Sequence, residues 1–276
     1  MEWEGQIITC KARGKLRLGQ TAPMAGDRVQ IALGPTPGEM GTVTRIFPRE
    51  NMLYRPPIAN IDLTLLVLAA AQPEPDLLLI DKLLILTARM EIGAAICINK
   101  YDLAPERAEE IREIYSSLDV EVIPCSALTG YNLEGIARSV RGKTAVLAGQ
   151  SGVGKSRLAR YLTGDYELEV GELSEKLGRG KHTTRQVRLL PTSGQGRLAD
   201  TPGFSSFTPE GLESRSLYRL YPDFLRAVCR FSDCRHLEEP DCGVRESVES
   251  GIIKISRYEN YRRIHQELRE KEAARY

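Results

Sequence analysis

The order of two short segments restricts the topologies open to this chain. NKYD at Asn99–Asp102 closes the apolar run ICIN, and GQSGVGKS at Gly149–Ser156 begins fifty residues later. Each segment needs a particular setting. A Gly-x4-Gly-Lys-Ser loop cradles phosphates when it follows a strand and opens a helix, because loop amides and the helix N-terminus then converge on the anion. TAVLA before the loop and RLARYLTG after it supply that setting. The reading is an α/β domain with a mainly parallel sheet, whose ligand site forms from loops at the carboxyl ends of the strands.

The residues then define the chemistry. Gly149, Gly152 and Gly154 permit the tight backbone path, and Gln150, Ser151, Val153 and Arg157 complete the loop and the first turn after it. Lys155 is expected to reach the β and γ phosphates, and the Ser156 hydroxyl to ligate magnesium. This loop does not separate ATP from GTP; the base is read by Asn99, Lys100, Tyr101 and Asp102. The Asp102 carboxylate can accept two hydrogen bonds from guanine N1 and N2, which adenine cannot supply. Asn99 braces the loop and meets the base edge, while the Lys100 stem lies along the ring face. A buried polar group left unpaired costs about 1–3 kcal/mol, so GTP is the expected ligand. One helix further on, CSALTG offers Ser126 and Ala127 of a Ser-Ala-x turn, a backbone element that supports guanine recognition.

Downstream of the phosphate loop, DTPG places Asp200 and the Gly203 amide where a magnesium shell and a γ-phosphate contact are needed. Between them GRGKHTT has no hydrophobic period and suits a switch. Either Thr183 or Thr184 is expected to supply the magnesium hydroxyl of that switch, and the spacing does not choose between them. The order is therefore base-reading, phosphate loop, switch one, switch two. Joining the old termini and cutting elsewhere leaves a site built from strand ends intact, which makes this a circularly permuted GTPase domain. The second switch then leads almost directly into the last part of the chain, which a nucleotide-dependent shift is expected to move as a lever.

Three domains are expected: an OB-type β-barrel at 1–60, the permuted GTPase at 61–210 and a zinc-binding, mainly helical domain at 211–276. GQIITCKAR, DRVQIAL and GTVTRIF are short strands separated by glycine and proline turns, as in a small barrel. Lys11, Arg13, Lys15, Arg17, Arg28, Arg45, Arg49 and Arg55 give that segment a basic cast, which suits either solvated edges or RNA. The net charge of +1 gives no further case for nucleic acid. The longest apolar run, LTLLVLAAA, is about half of a membrane span, and the start lacks a secretory pattern, so a cytoplasmic protein without membrane or DNA partners is expected. In CRFSDCRHLEEPDCGV, Cys229, Cys234, His236 and Cys242 offer three thiolates and an imidazole, a full tetrahedral shell for one structural zinc ion. The last helix carries Tyr258, Tyr261, Ile264 or His265, and Leu268 on one stripe. Lys254, Arg257, Arg262, Arg263 and Arg269 fall on its other faces, read as solvated or as phosphate contacts.

Together NKYD, GQSGVGKS, DTPG, the cysteine and histidine set, and the linker RPPIANIDLTLLV resemble the RsgA family of bacterial small-subunit-dependent GTPases over nearly the whole chain. That resemblance implies an OB fold, a zinc domain, binding to 16S rRNA on the 30S ribosomal subunit in its late maturation, and slow intrinsic hydrolysis stimulated by the subunit. Ras-like enzymes carry a water-orienting glutamine directly after the Asp-x-x-Gly element. Here that position is Phe204, which cannot hydrogen-bond water. His182, in the GRGKHTT element that the resemblance matches, is the expected water-orienting group, with Lys155 and Thr184 holding charge on the transferred phosphoryl. A monomer is expected. The alternative reading is a GTP-gated RNA-binding scaffold in which hydrolysis is incidental.

Overall fold

The computed structural model describes residues 1–3, 6–14, 22–34, 36, 39–54, 57–165, 187–204 and 211–274, with the backbone alone at 3, 54 and 200–204. The switch residues His182, Thr183 and Thr184 lie outside the described residues, as do Lys15, Arg17 and Arg55.

The N-terminal part is built from short strands. β1 (Glu2–Trp3) and β2 (Gln6–Ile7) form a hairpin. β3 (Cys10–Ala12), β4 (Val29–Ala32) and β5 (Gly41–Ile46) make a mixed sheet with β5 central, parallel to β3 and antiparallel to β4. β6 (Met52–Tyr54) and β7 (Pro57–Ala59) form a second hairpin. Among the described residues these strands form one three-stranded sheet and two hairpins, the N-terminal module expected in front of the GTPase domain. Two of its expected basic residues are tied into it. Arg49 donates through Nε and Nη2 to Asp27 at 2.7 and 2.9 Å, and Arg28 pairs with Glu50 at 2.6 Å.

The next segments form the six-stranded sheet that carries the site. β8 (Leu63–Ala69), β9 (Gly93–Asn99), β10 (Glu121–Pro124) and β11 (Thr144–Ala148) are joined by helices. β12 (Arg188–Pro191) and β13 (Arg197–Phe204) close the sheet at one edge. The order is β10-β9-β8-β11-β13-β12, parallel throughout except for β12. β8 is buried on both faces, as a central parallel strand must be. Leu66 and Leu68 pack on the face covered by α1 (Leu77–Arg89) and α2 (Pro105–Ile114). Leu65 and Val67 face the opposite way, toward α3 (Leu133–Ser139) and α4 (Lys155–Thr163). β8 and β11 pair although about eighty residues separate them, so the chain builds the base-reading half of the sheet before the phosphate half.

The C-terminal region packs on α1. Two 3₁₀ segments (Ser214–Leu220 and Phe224–Arg226), α5 (Gly243–Glu249) and α6 (Ile255–Ala273) share one core with Tyr221, Phe224, Tyr261, Ile264 and Leu268, and Ile85 of α1 belongs to it. The stripe expected on α6 is buried, with both Ile264 and His265 inside. Arg257 departs from its expected place. It is 2 % exposed and sits between two buried carboxylates, donating to Asp81 of α1 and, at 3.1 and 3.3 Å, to Asp223. Asn260 caps the second Asp81 oxygen at 2.8 Å. Burial alone would lower the Arg257 pKa, but the two carboxylates outweigh it and raise it. This guanidinium is therefore a structural cation joining α6 to the GTPase sheet's own helix.

Candidate nucleotide site and metal centre

Each nucleotide motif sits at a strand end, and all of these ends lie on one edge of the sheet. The phosphate loop follows β11 and opens α4, the NKYD turn follows β9, and the Ser-Ala-Leu turn follows β10. The backbone of the loop is forced by close neighbours. Gly149 has φ +140°, and a Cβ there would stand 2.0 Å from the Val67 carbonyl oxygen. Gly154 has φ +101°, and its Cβ would stand 2.2 Å from Asn99 Nδ2. No L side chain fits either position without moving β8 or Asn99. Lys155 curls back over the loop and donates to the carbonyls of Gly149 and Gln150 at 2.8 and 2.6 Å, and burial lowers its pKa. Ser156 lies half-buried in the first turn of α4, while Ser151, Gly152 and Arg157 are exposed and Val153 is buried in the core below.

Asn99 proves to be the hub. It is 3 % exposed; its Nδ2 donates to the Val153 carbonyl at 2.7 Å and its Oδ1 accepts from the Ala127 amide at 2.9 Å. One side chain thereby ties the phosphate loop, the NKYD turn and the Ser-Ala-Leu turn together. These two bonds brace the base-reading loops, and they use one of the two Nδ2 hydrogens. Lys100 has φ +64°, and its ammonium is held by the Gln72 carbonyl in the loop that follows β8. The reversal aims Asp102 outward, exposed on the same edge. Ser126 is buried, and its Oγ accepts from the Thr129 amide at 3.1 Å, closing the turn.

The backbone of Asp200–Gly203 also reaches this edge. The β11–β13 ladder steps from Val146–Ala199 to Ala148–Phe204, so the four intervening residues bulge beside the start of the phosphate loop. The Asp200 side chain lies outside the described set. Two residues that the motif spacing did not reveal belong to the site. Gln72 holds Lys100, and Tyr131 stacks on Tyr101 with ring centroids 4.6 Å apart and planes inclined by 16°. Both come from loops whose pairing only the sheet order creates.

The second centre lies in the C-terminal region. The donor atoms of Cys229, Cys234, His236 and Cys242 all fall within 4.8 Å of one another. His236 Nδ1 is 3.4 Å from Cys229 Sγ and 3.5 Å from Cys242 Sγ, and the two sulfurs are 3.9 Å apart. Those separations are the edges of a tetrahedron with metal–sulfur and metal–nitrogen bonds of about 2.3 and 2.0–2.1 Å. Burial lowers the His236 pKa, which favours the neutral imidazole that a metal requires. Burial also pushes the Cys234 thiol up to about 12, so a cation is what makes three adjacent thiolates tolerable. Helix α6 steadies the loop: Tyr258 Oη donates to the His236 carbonyl at 2.9 Å, and Tyr261 Oη to the Arg235 carbonyl at 2.6 Å. The residues present fit a closed, structural metal site compatible with zinc.

Comparison with known proteins agrees with this layout. The RsgA GTPase family matches residues 46–210, and the RsgA N-terminal domain matches residues 1–40. The chain is 39% identical over 271 residues to the small ribosomal subunit biogenesis GTPase RsgA of Agathobacter rectalis, covering 97% of this chain and 90% of that protein. Its likeness to the protein of the same name from Thermotoga maritima is 40% over 273 residues, covering 97% and 91%. Among solved structures, YjeQ from Thermotoga maritima superposes with a TM-score of 0.80 at 36% identity, covering 96% of this chain and 91% of that one. YloQ, described as a circularly permuted GTPase, superposes with a TM-score of 0.79 at 33% identity, covering 96% and 88%.

Proposed function

The chain belongs to the RsgA GTPase family and is a GTP hydrolase, and from that premise we propose that it acts on the small ribosomal subunit in late 30S maturation, stimulated by that subunit. The observation that supports this reading is the Asn99 hub, which assembles a guanine-reading and a phosphate-cradling loop into one site in permuted order. The proposed division is an RNA-binding module at 1–60, the GTPase at 61–210 and a zinc domain at 211–276. The proposed partners are GTP and GDP, the 30S subunit and its 16S rRNA. The protein is read as a cytoplasmic monomer that engages neither DNA nor membrane; among the described residues no helix is long and apolar enough to cross a membrane.

In this reading Asp102 reads the guanine edge, supported by Lys100, Tyr101 and the Ser126–Ala127 turn. Residues Gly149 to Arg157 receive the phosphates, with Lys155 on the transferred group. Magnesium accompanies GTP, held by Ser156 and Thr184 with Asp200 nearby; Thr183 and the Gly203 amide complete the switch contacts. Bound magnesium supplies charge neutralisation at the phosphates. Phe204 offers water no hydrogen bond, so intrinsic hydrolysis is slow and His182 orients the attacking water in the assembled state. Cys229, Cys234, His236 and Cys242 hold one structural zinc ion. Elemental analysis is expected to find one zinc per chain. Cys234→Ser is expected to lose the zinc and to open the 229–242 segment to proteolysis, while retention of metal by the variant would remove Cys234 from the ligand set.

His182→Ala tests the mechanism. GTP binding and association with small subunits should persist, while stimulated turnover falls by about 10²–10⁴-fold, the usual contribution of a positioned acid or base. Full stimulated turnover in the variant would assign the water to another group. Normal subunit maturation with the hydrolysis-dead variant would instead favour the GTP-gated scaffold, in which occupancy alone does the work.

A further inference from the structure

We propose that Tyr131, stacked on Tyr101, is a positioning residue for guanine: an aromatic latch that sets the spacing between the Asp102 carboxylate and the Ser126–Ala127 turn, which flank the base. The inference rests on the guanine reading of the site given above. Asp102 stands on the turn after β9 and Ser126–Ala127 on the turn after β10, and a base seated against both turns requires them to keep one separation.

The turn after β10 is closed on itself. Ser126 N donates to the Tyr131 carbonyl at 3.0 Å, Gly130 N to the Ser126 carbonyl at 2.9 Å and Thr129 N to Ser126 Oγ at 3.1 Å. Tyr131 is the last residue of this closed unit, so wherever its ring is fixed the whole turn is fixed. The ring is fixed by Tyr101, the variable residue of the NKYD quartet and the immediate neighbour of Asp102. Below the stack, Tyr101 N donates to the Cys125 carbonyl at 3.0 Å. Asn99 joins the same two turns from inside the protein, and the tyrosine pair joins them from the solvent side. Two attachments on opposite sides stop the turns from rocking about a single hinge.

Tyr131 is 49% exposed and belongs to none of the three hydrophobic clusters. Such a ring contributes little to the core, so its removal should leave the fold standing. What the stack fixes is the relative position of two recognition turns, and an offset-stacked pair contributes at a level that shows as a several-fold affinity change. Guanine should feel this most, because its 2-amino group demands the second, geometrically exacting bond to Asp102. Hypoxanthine lacks that amino group and relies on one carboxylate bond.

The test is titration of the full-length chain with GDP, inosine diphosphate and ADP, for the parent and for Tyr131→Ala, Tyr131→Phe, Tyr101→Ala and the double alanine variant. The parent should prefer GDP over ADP strongly; equal binding would refute the guanine reading itself, independently of the latch. Given that preference, Tyr131→Ala should weaken GDP by about five- to tenfold and lower the GDP to inosine diphosphate ratio by about threefold, with the melting temperature held. Tyr131→Phe should restore both. The double variant should bind no worse than either single one, since the two rings act as one unit. The latch is overturned by any of four results: GDP affinity unchanged in Tyr131→Ala, equal losses for both diphosphates, no rescue by phenylalanine, or multiplicative losses in the double variant.

Discussion

Asp102→Asn should weaken GTP and GDP binding by about 10²–10⁴-fold and bring xanthine nucleotides into the affinity range that guanine nucleotides held. Two hydrogen bonds from guanine N1 and N2 to one carboxylate are charge-assisted, each contributing about 1.5–3 kcal/mol. Their sum converts to that range at about 1.4 kcal/mol per tenfold. Asparagine keeps the shape of aspartate but turns one acceptor into a donor. The donor then opposes a guanine N–H, whereas the 2-oxo group of xanthine can accept from it. Asp102 is exposed at the turn after β9, aimed by the left-handed Lys100, and takes no part in the core, so the change acts on the ligand and leaves the fold alone. Titration with fluorescent GDP and XDP measures it. Retention of GDP affinity within about threefold would show that another group reads the purine edge.

Arg257→Ala should cost about 3–5 kcal/mol, because it strands two carboxylates in the interior. Asp81 and Asp223 have side chains 0% and 2% exposed against 3% for Arg257, so water cannot replace the lost guanidinium. Burial already raises the Asp81 pKa against the pull of Arg257 and Asn260, and without the cation that pressure grows. Arg257 also lies 4.7 Å from the Tyr221 ring centroid and 5.6 Å from that of Tyr115, so its removal opens space between α1 and α6. For a chain of this size each kcal/mol shifts the midpoint by about 2–4 °C, so a fall of roughly 6–20 °C in the C-terminal unfolding transition is expected. Calorimetry or hydrogen exchange across 211–274 reads it. A loss below about 1 kcal/mol would place the cluster among solvated surface pairs.

These two residues mark what the sequence makes legible. Asp102 could be placed because a guanine-reading turn is a local motif with fixed spacing, and the phosphate loop could be placed because its glycines answer a backbone demand seen in eight consecutive residues. The permutation followed from motif order alone, and β9 spans the same residues as the predicted GAAICIN. The four zinc-type ligands were legible from residue type, and the structure gathers their donor atoms. Arg257 was not legible. Its two carboxylates are 176 and 34 residues away in sequence, and on a helix with nineteen residues of mixed charge it reads like any surface arginine.

Other features were hidden for similar reasons. The hairpins β1–β2 and β6–β7 have strands of two or three residues, too short to show a period of two. Helix α1, LLLIDKLLILTAR, is apolar nearly all round, and only the docking of the C-terminal region explains its second buried face. Tyr131 follows the Ser-Ala-Leu turn by a few residues that match no motif, and the partners through which Asn99 braces the loops, Val153 and Ala127, lie 54 and 28 residues away in sequence. The switch residues His182 and Thr184 rest on sequence alone.

GTP turnover by the purified protein, alone and with small ribosomal subunits, against large subunits and ATP as controls, tests the central claim most directly. Strong stimulation confined to the small subunit and to GTP is the predicted result. Slow turnover unchanged by small subunits would contradict it.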